Sequence, residues 1–254
     1  MTLPESFYVP LERDLLRLTG RDRQSFLQGM LTNDIASLTP GQNCYAFHLT
    51  SKGQILADCY VLCSEDGLLL DTEPGWGEPL AASLEHHLVM ERVKIRLTTQ
   101  IVYFIYEAGQ WRALYDAPSP PELPMYDEAL YEALRIEAGV PRGRVDFDEK
   151  TLAPETGQAG RAIHYKKGCY IGQEIVARID ARGHTNRSLV KLTTEQVVEP
   201  GTRLMVDGKD VGWVTSAALG PTKGIPVALG YLRNEHAAPG TQVTVGAFGN
   251  GVVA

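Results

Sequence analysis

Hydrophobic positions along this chain fall into strand-like runs, interrupted by four stretches with helical spacing. The strand-like "LLRLTG" at 15–20 precedes "RDRQSFLQGML" at 21–31, where Phe26, Leu27 and Met30 share one face of a short helix. "TNDIASLTPGQ" supplies turn residues, and the extended run "NCYAFHLTSKGQILADCYVLC" follows, with a turn at Ser51, Lys52 and Gly53. After "SEDG" come the strand "LLLDT", an amphipathic helix "EPLAASLEHHLVM" and three strand-like runs, "VKIRLTT", "IVYFIY" and "WRALYD". The order β, β, α, β, β, β over 54–116 predicts an antiparallel sheet with one covering helix, an α+β pattern.

The four prolines of "APSPPELP" at 117–124 remove backbone donors and fix φ, which marks a connection. "YDEALYEALRIEAGVP" then reads as a helix with Leu130, Leu134 and Ile136 apolar and Gly139 just past its end. From Ser188 onward, "SLVKLTT", "TRLMVD", "DVGWVTSA", "VALGYL" and "QVTVGAF" are separated by Gly, Pro and Asp-Gly turns and predict a compact β-barrel or sandwich.

Composition narrows the class. With 44% hydrophobic and 22% charged residues in 254, the chain is expected to fold into one large or two to three small domains. "TLPESFYVPLERD" after Met1 has neither a basic start nor a long apolar run, so no signal or transit peptide is expected and the location is expected to be cytoplasmic. No apolar run approaches the roughly 18 residues of a membrane span. Cys59 and Cys63, four apart in "ADCYVLC", read as core residues of a strand, and the low cysteine count suits a reducing compartment.

Charge is uneven. Arg161 to Lys191 holds seven Lys/Arg against two acids, so this segment carries +5 in a chain whose formal charge is −7. An anionic ligand is drawn there, whereas the acidic remainder argues against DNA binding and makes direct tRNA binding the weaker expectation.

Inside that segment, "YKKGCYIGQEIVARIDARG" repeats isoleucine at 171, 175 and 179, predicting a helix from about Ile171 to Arg182 capped by Gly183. Cys169 then sits just before the first turn, where free backbone donors and the neighbouring Lys166 and Lys167 favour a thiolate. The same spacing equally allows a small buried cysteine. Glu174 in the first turn could grip a ligand with adjacent N–H donors, such as a pterin, or be a solvated helix carboxylate. Arg178, Arg182, His184 and Arg187 could hold an anionic tail, or form a solvated basic face.

"KKGCYIGQE" followed by "ARIDARGHTNRSL" closely resembles the signature of the YgfZ family of folate-binding proteins, relatives of the glycine cleavage T protein (aminomethyltransferase). Lys167, Gly168, Cys169, Tyr170, Gly172, Gln173 and Glu174 match its K-G-C-Y-x-G-Q-E motif. "FLQGMLTNDIASLTPGQ", "SKGQILAD", "RIEAGVPRG" and "LAPE" resemble other segments of that superfamily.

The resemblance implies an α+β fold of three small domains around a central folate site, mostly antiparallel sheets with a C-terminal β-barrel. The expected divisions are a discontinuous folate-binding domain at 1–52 and 123–186, a ferredoxin-like domain at 53–122 and a barrel at 187–254. It further implies tetrahydrofolate or a one-carbon derivative as cofactor, with Glu174 on the pterin and Lys167, Tyr170, Gln173, Arg178, Arg182 and Arg187 around the ligand. Cys169 becomes the functional thiol. The implied role is support of iron–sulfur cluster assembly or repair and, through it, tRNA modification, with client or assembly proteins as partners. The rival is aminomethyl transfer. Aminomethyltransferases carry a G-G-x-x-D-D run, where this chain has Ala57 then Asp58.

Overall fold

A computed structural model describes residues 3–183 and 185–254. The first half of the chain alternates strands and helices: β1 (Ser6–Thr19), α1 (Arg23–Met30), β2 (Asn43–Leu49), β3 (Ile55–Cys63), β4 (Leu68–Thr72), α2 (Gly77–His86), β5 (Lys94–Glu107) and β6 (Gln110–Leu114). Next come three helices, α3 (Glu128–Ala138), α4 (Ala159–Ala162) and α5 (Gln173–Arg182). The carboxyl-terminal part holds β7 (Arg187–Thr194), β8 (Arg203–Val206), β9 (Lys209–Leu219), β10 (Pro226–Arg233), β11 (Gln242–Val245) and β12 (Asn250–Val253). The chain divides into two units: Glu12–Gln100 with Phe147–His184, and Met1–Leu11 with Ile101–Asp146 and Thr185–Ala254. Both divisions at the amino-terminal side fall within the long strands β1 and β5.

The first unit is an α+β layer structure with antiparallel strands in the order β2-β3-β4-β1. Strict alternation in β3 buries Ile55, Ala57, Cys59, Val61 and Cys63 and leaves Leu56, Asp58, Tyr60 and Leu62 half-buried on the opposite face. Phe26, Leu27 and Met30 of α1, Leu80 and Leu84 of α2 and Val176 of α5 join the buried strand residues in one core. Each fully buried Leu or Phe there contributes about 2 kcal/mol through the area it removes from water.

The second unit is built around a closed antiparallel barrel, in the order β10-β7-β12-β11-β8-β9. Leu192, Leu204, Val214, Ala228 and Leu232 are among the residues of its core. Helix α3, N-capped by the Asp127 carboxylate and ended by Gly139 at φ 76°, packs Ile136 against Leu189, Val227, Leu229 and Tyr231. Beneath it, Asp146 accepts from Arg135 Nη1 at 2.6 Å, the Arg142 amide at 2.9 Å, Thr215 Oγ1 at 2.5 Å and Ser216 Oγ at 2.7 Å. That carboxylate is fully engaged.

The α+β class, the antiparallel sheets and the C-terminal barrel agree with the sequence reading, while three elements differ. "VKIRLTT" and "IVYFIY" form one strand, since the intervening Gln100 is no turn former. The strand expected at 15–20 begins at Ser6 and runs through Pro10. Strand β12, four residues containing an Asn-Gly pair, escaped notice, yet it pairs with both β7 and β11 and closes the barrel.

Candidate functional site

Helix α1 ends at Met30, so its last carbonyls need partners from elsewhere. The chain accounts for each of them. Leu27 O accepts the Leu31 amide, Met30 O lies 3.0 Å from His48 Nδ1, and Gly29 O accepts the Ile171 amide at 3.3 Å. Lys167 Nζ donates to Gln28 O at 2.7 Å, Leu31 O at 2.7 Å and Asn33 O at 2.6 Å. Burial pushes this lysine down to about 8, opposed by Asp34 and Cys44, and its three N–H groups satisfy the three carbonyls.

Because Met30 O is an acceptor, His48 carries its proton on Nδ1 and its Nε2 accepts from Ser83 Oγ at 2.8 Å. Burial holds this imidazole down to about 4.

Helix α5 starts at Gln173, two residues later than the isoleucine spacing suggested. Gly172 occupies the N-cap at φ 82°, and a Cβ there would lie 2.6 Å from Thr50 O. The glycine thus lets the helix end approach the β2–β3 turn. Cys169 is exposed and precedes the cap by three residues instead of abutting the first turn. Lys167, one of the two cations expected to favour its thiolate, is committed to carbonyls.

Tyr170 is buried in the core, with Lys167 Nζ 5.3 Å from its ring centroid, and burial pushes its phenol up to about 12. Glu174 is 81% exposed and accepts from Arg178 Nη2 at 2.6 Å. Gln173 is half-buried and Arg182 exposed. Arg187 belongs to the barrel unit, where its guanidinium lies 4.8 Å from the Tyr231 ring and 5.1 Å from that of Trp213. His184 lies outside the described residues.

A second cluster, missed in the sequence as a group, lies on the half-buried face of β3. Tyr45 and Tyr60 are directly paired between β2 and β3, and the Tyr45 hydroxyl donates to Asp58 Oδ2 at 2.7 Å. Asp58 Oδ1 is buried and has no hydrogen-bond partner among the described residues. Arg161 from α4 stacks 4.0 Å from the Tyr45 ring centroid and donates to Tyr60 Oη at 3.0 Å. Burial, reinforced by the Glu73 carboxylate, pushes Asp58 up to about 6, against the Tyr45 hydrogen bond and the Arg13 charge. Arg13 itself is buried in ion pairs with Asp71, at 2.6 Å, and with Glu73. A carboxyl poised near neutrality with one unengaged oxygen can both accept an N–H and move a proton. The period-two spacing of Asp58 and Tyr60 was the signal available in the sequence.

Among known proteins, residues 187–254 match the glycine cleavage T-protein C-terminal barrel domain. The tRNA-modifying protein YgfZ of Escherichia coli O157:H7 is 27% identical over 70% of this chain and 69% of its own. An aminomethyltransferase of Streptomyces avermitilis is 35% identical over 52% of this chain, a match spanning 36% of that protein. The crystal structure of glycine cleavage system aminomethyltransferase T from Bartonella henselae superposes with a TM-score of 0.83 at 20% identity, covering 98% of this chain and 84% of that one. The chain is thus similar to proteins named YgfZ over 70% of its length, and it shares the carboxyl-terminal barrel domain and the fold of the glycine cleavage T protein.

Proposed function

We propose that this chain binds tetrahydrofolate or a one-carbon derivative and acts as an accessory protein in iron–sulfur cluster assembly or repair and, through it, in tRNA modification. The folate part rests on one observation above all: Asp58 offers a buried, unengaged carboxyl oxygen beside Tyr45 and Tyr60. A pterin edge presents adjacent N–H donors that suit such an acceptor. Glu174, the residue that the family resemblance points to, is the other candidate pterin contact, with Arg178 on its Oε1. On α5, Arg178 lies one turn from Glu174 and is a candidate cation for the acidic folate tail.

Folate, when bound, carries one-carbon units. The chain's own residues hold the ring, set the protonation of Asp58 and present Cys169 to solvent. An exposed thiol suits transient contact with a client cluster or a partner thiol, which agrees with the tRNA-modifying name carried by the YgfZ relatives. Aminomethyl transfer is the second reading, favoured by the near-neutral Asp58 carboxyl, which could assist proton transfer at a folate nitrogen.

Anaerobic calorimetry with tetrahydrofolate tests the reading on wild type, Asp58→Asn, Glu174→Ala and Cys169→Ala. Weakened binding in the first two variants and retained binding in the third is the expected pattern; no binding by the wild type would refute a folate role. Turnover of an aminomethyl donor by the wild type would select the second reading.

A further inference from the structure

We infer that Lys167 is a positioning residue: its ammonium caps the carboxyl end of α1 and pins the loop that displays Cys169. The inference deepens the reading of Cys169 as the functional thiol and rests on it. Residues 164–171 are fastened to the end of α1 and the segment after it at successive points. The His164 amide donates to Thr32 O at 3.0 Å, Lys167 Nζ to three carbonyls, and the Ile171 amide to Gly29 O. Cys169 lies midway between the last two anchors, exposed together with Gly168, while Tyr170 turns into the core.

The chemistry of the cradle selects an ammonium. Gln28 O and Leu31 O belong to the helix end, where the macrodipole favours a cation, and Asn33 O completes the acceptor set. Three carbonyls match three N–H groups on a single nitrogen. Arginine offers a planar fork that cannot address the same set, and a neutral amine leaves one carbonyl without its donor. With all three donors occupied by protein carbonyls, Lys167 acts on ligand and thiol chemistry through the loop it holds.

Lys167→Met, which keeps most of the aliphatic stem and removes the donors, tests this by peptide-resolved hydrogen exchange and by the alkylation rate of Cys169 with iodoacetamide. Exchange over 168–171 is expected to rise about tenfold, with barrel peptides unchanged and Cys169 alkylation altered. Lys167→Arg is expected to restore neither. In wild type, exchange of the same loop is expected to step up above about pH 8, beyond ordinary base catalysis, and the step is absent in Lys167→Met. Loop exchange and alkylation both within twofold of wild type would overturn the inference. Should Lys167→Met fail to fold, the Nζ protons of ¹⁵N-lysine-labelled wild type decide: slow exchange supports the clamp and free exchange refutes it. None of these readouts involves folate, so they stand or fall apart from the folate reading. A released loop with client maturation intact in cells would uphold the clamp and remove the functional reading of Cys169.

Discussion

Tyr45 donates its phenolic proton to Asp58 Oδ2 at 2.7 Å and leaves Oδ1 buried without a partner among the described residues. A single hydrogen bond does not offset the burial of a carboxylate, so the folded state holds the Asp58 proton more tightly than the unfolded chain does. With the folded value near 6 against 3.8 unfolded, the stabilising contribution is complete below about pH 4 and lost as pH rises through 6. Asp58→Asn keeps the acceptor for Tyr45 and removes the titration. Relative to wild type it is expected to gain about 1–2 kcal/mol at pH 7.5 and little at pH 4, read from urea unfolding at both values.

His48 works in the opposite direction. Its imidazole is neutral in the fold, donating to Met30 O and accepting from Ser83 Oγ, and burial lowers it from 6.5 to about 4. The stability it contributes is present above pH 6.5 and lost as pH falls through 4. An NMR titration is expected to show no protonation of His48 down to about pH 5; a midpoint near 6.5 would contradict the buried, doubly bonded geometry.

Two carboxylates illustrate how burial decides the value of an ion pair. Glu174 and Arg178 form an i,i+4 pair, with side chains 81% and 51% exposed, so Glu174→Ala is expected to change stability by less than about 0.5 kcal/mol. Asp146 is buried, pairs with Arg135 and accepts three further hydrogen bonds. Asp146→Ala leaves the buried Arg135 guanidinium with Glu132 and Val140 O as partners, takes one of two acceptors from Thr215 and removes the acceptor of Ser216, and a loss of about 2–3 kcal/mol is expected in denaturant unfolding. Any folate effect of Glu174→Ala is therefore separable from folding.

Much of the fold was legible because it rests on local periodicity. The buried face of α1, the β2–β3 turn and the glycine that ends α3 each follow from residues within one or two turns of one another. The site was legible only in part. "KKGCYIGQE" marks the loop and α5, but lysine beside a cysteine looks the same in sequence whether it faces a ligand or three main-chain carbonyls. Backbone acceptors carry no residue signature. The Asp58 cluster draws on β2, β3 and α4, so no window of the sequence contains it. Arg182 and Arg187 are near neighbours in the chain, yet they belong to different units.

Gly172 links the fold to this loop, and Gly183 at the other end of the same helix supplies its control. Both have left-handed φ, 82° and 81°, so each alanine substitution bears a conformational cost of about 1 kcal/mol. They differ in surroundings. A Cβ at Gly172 lies 2.6 Å from Thr50 O and 3.0 Å from Leu49 Cβ, whereas no described residue beyond its chain neighbours stands within 4 Å of one at Gly183. Backbone and a core side chain cannot withdraw cheaply, so the start of α5 must move off the β2–β3 turn. Gly172→Ala is expected to cost about 2–4 kcal/mol against about 1 for Gly183→Ala in urea unfolding. It is also expected to raise hydrogen exchange over 168–175, because Ile171 and Val176 lose their seating on either side of the displaced cap. Equal costs for the two variants would mean that the close approach to Thr50 is not what fixes the helix start, and that φ alone selects glycine at position 172.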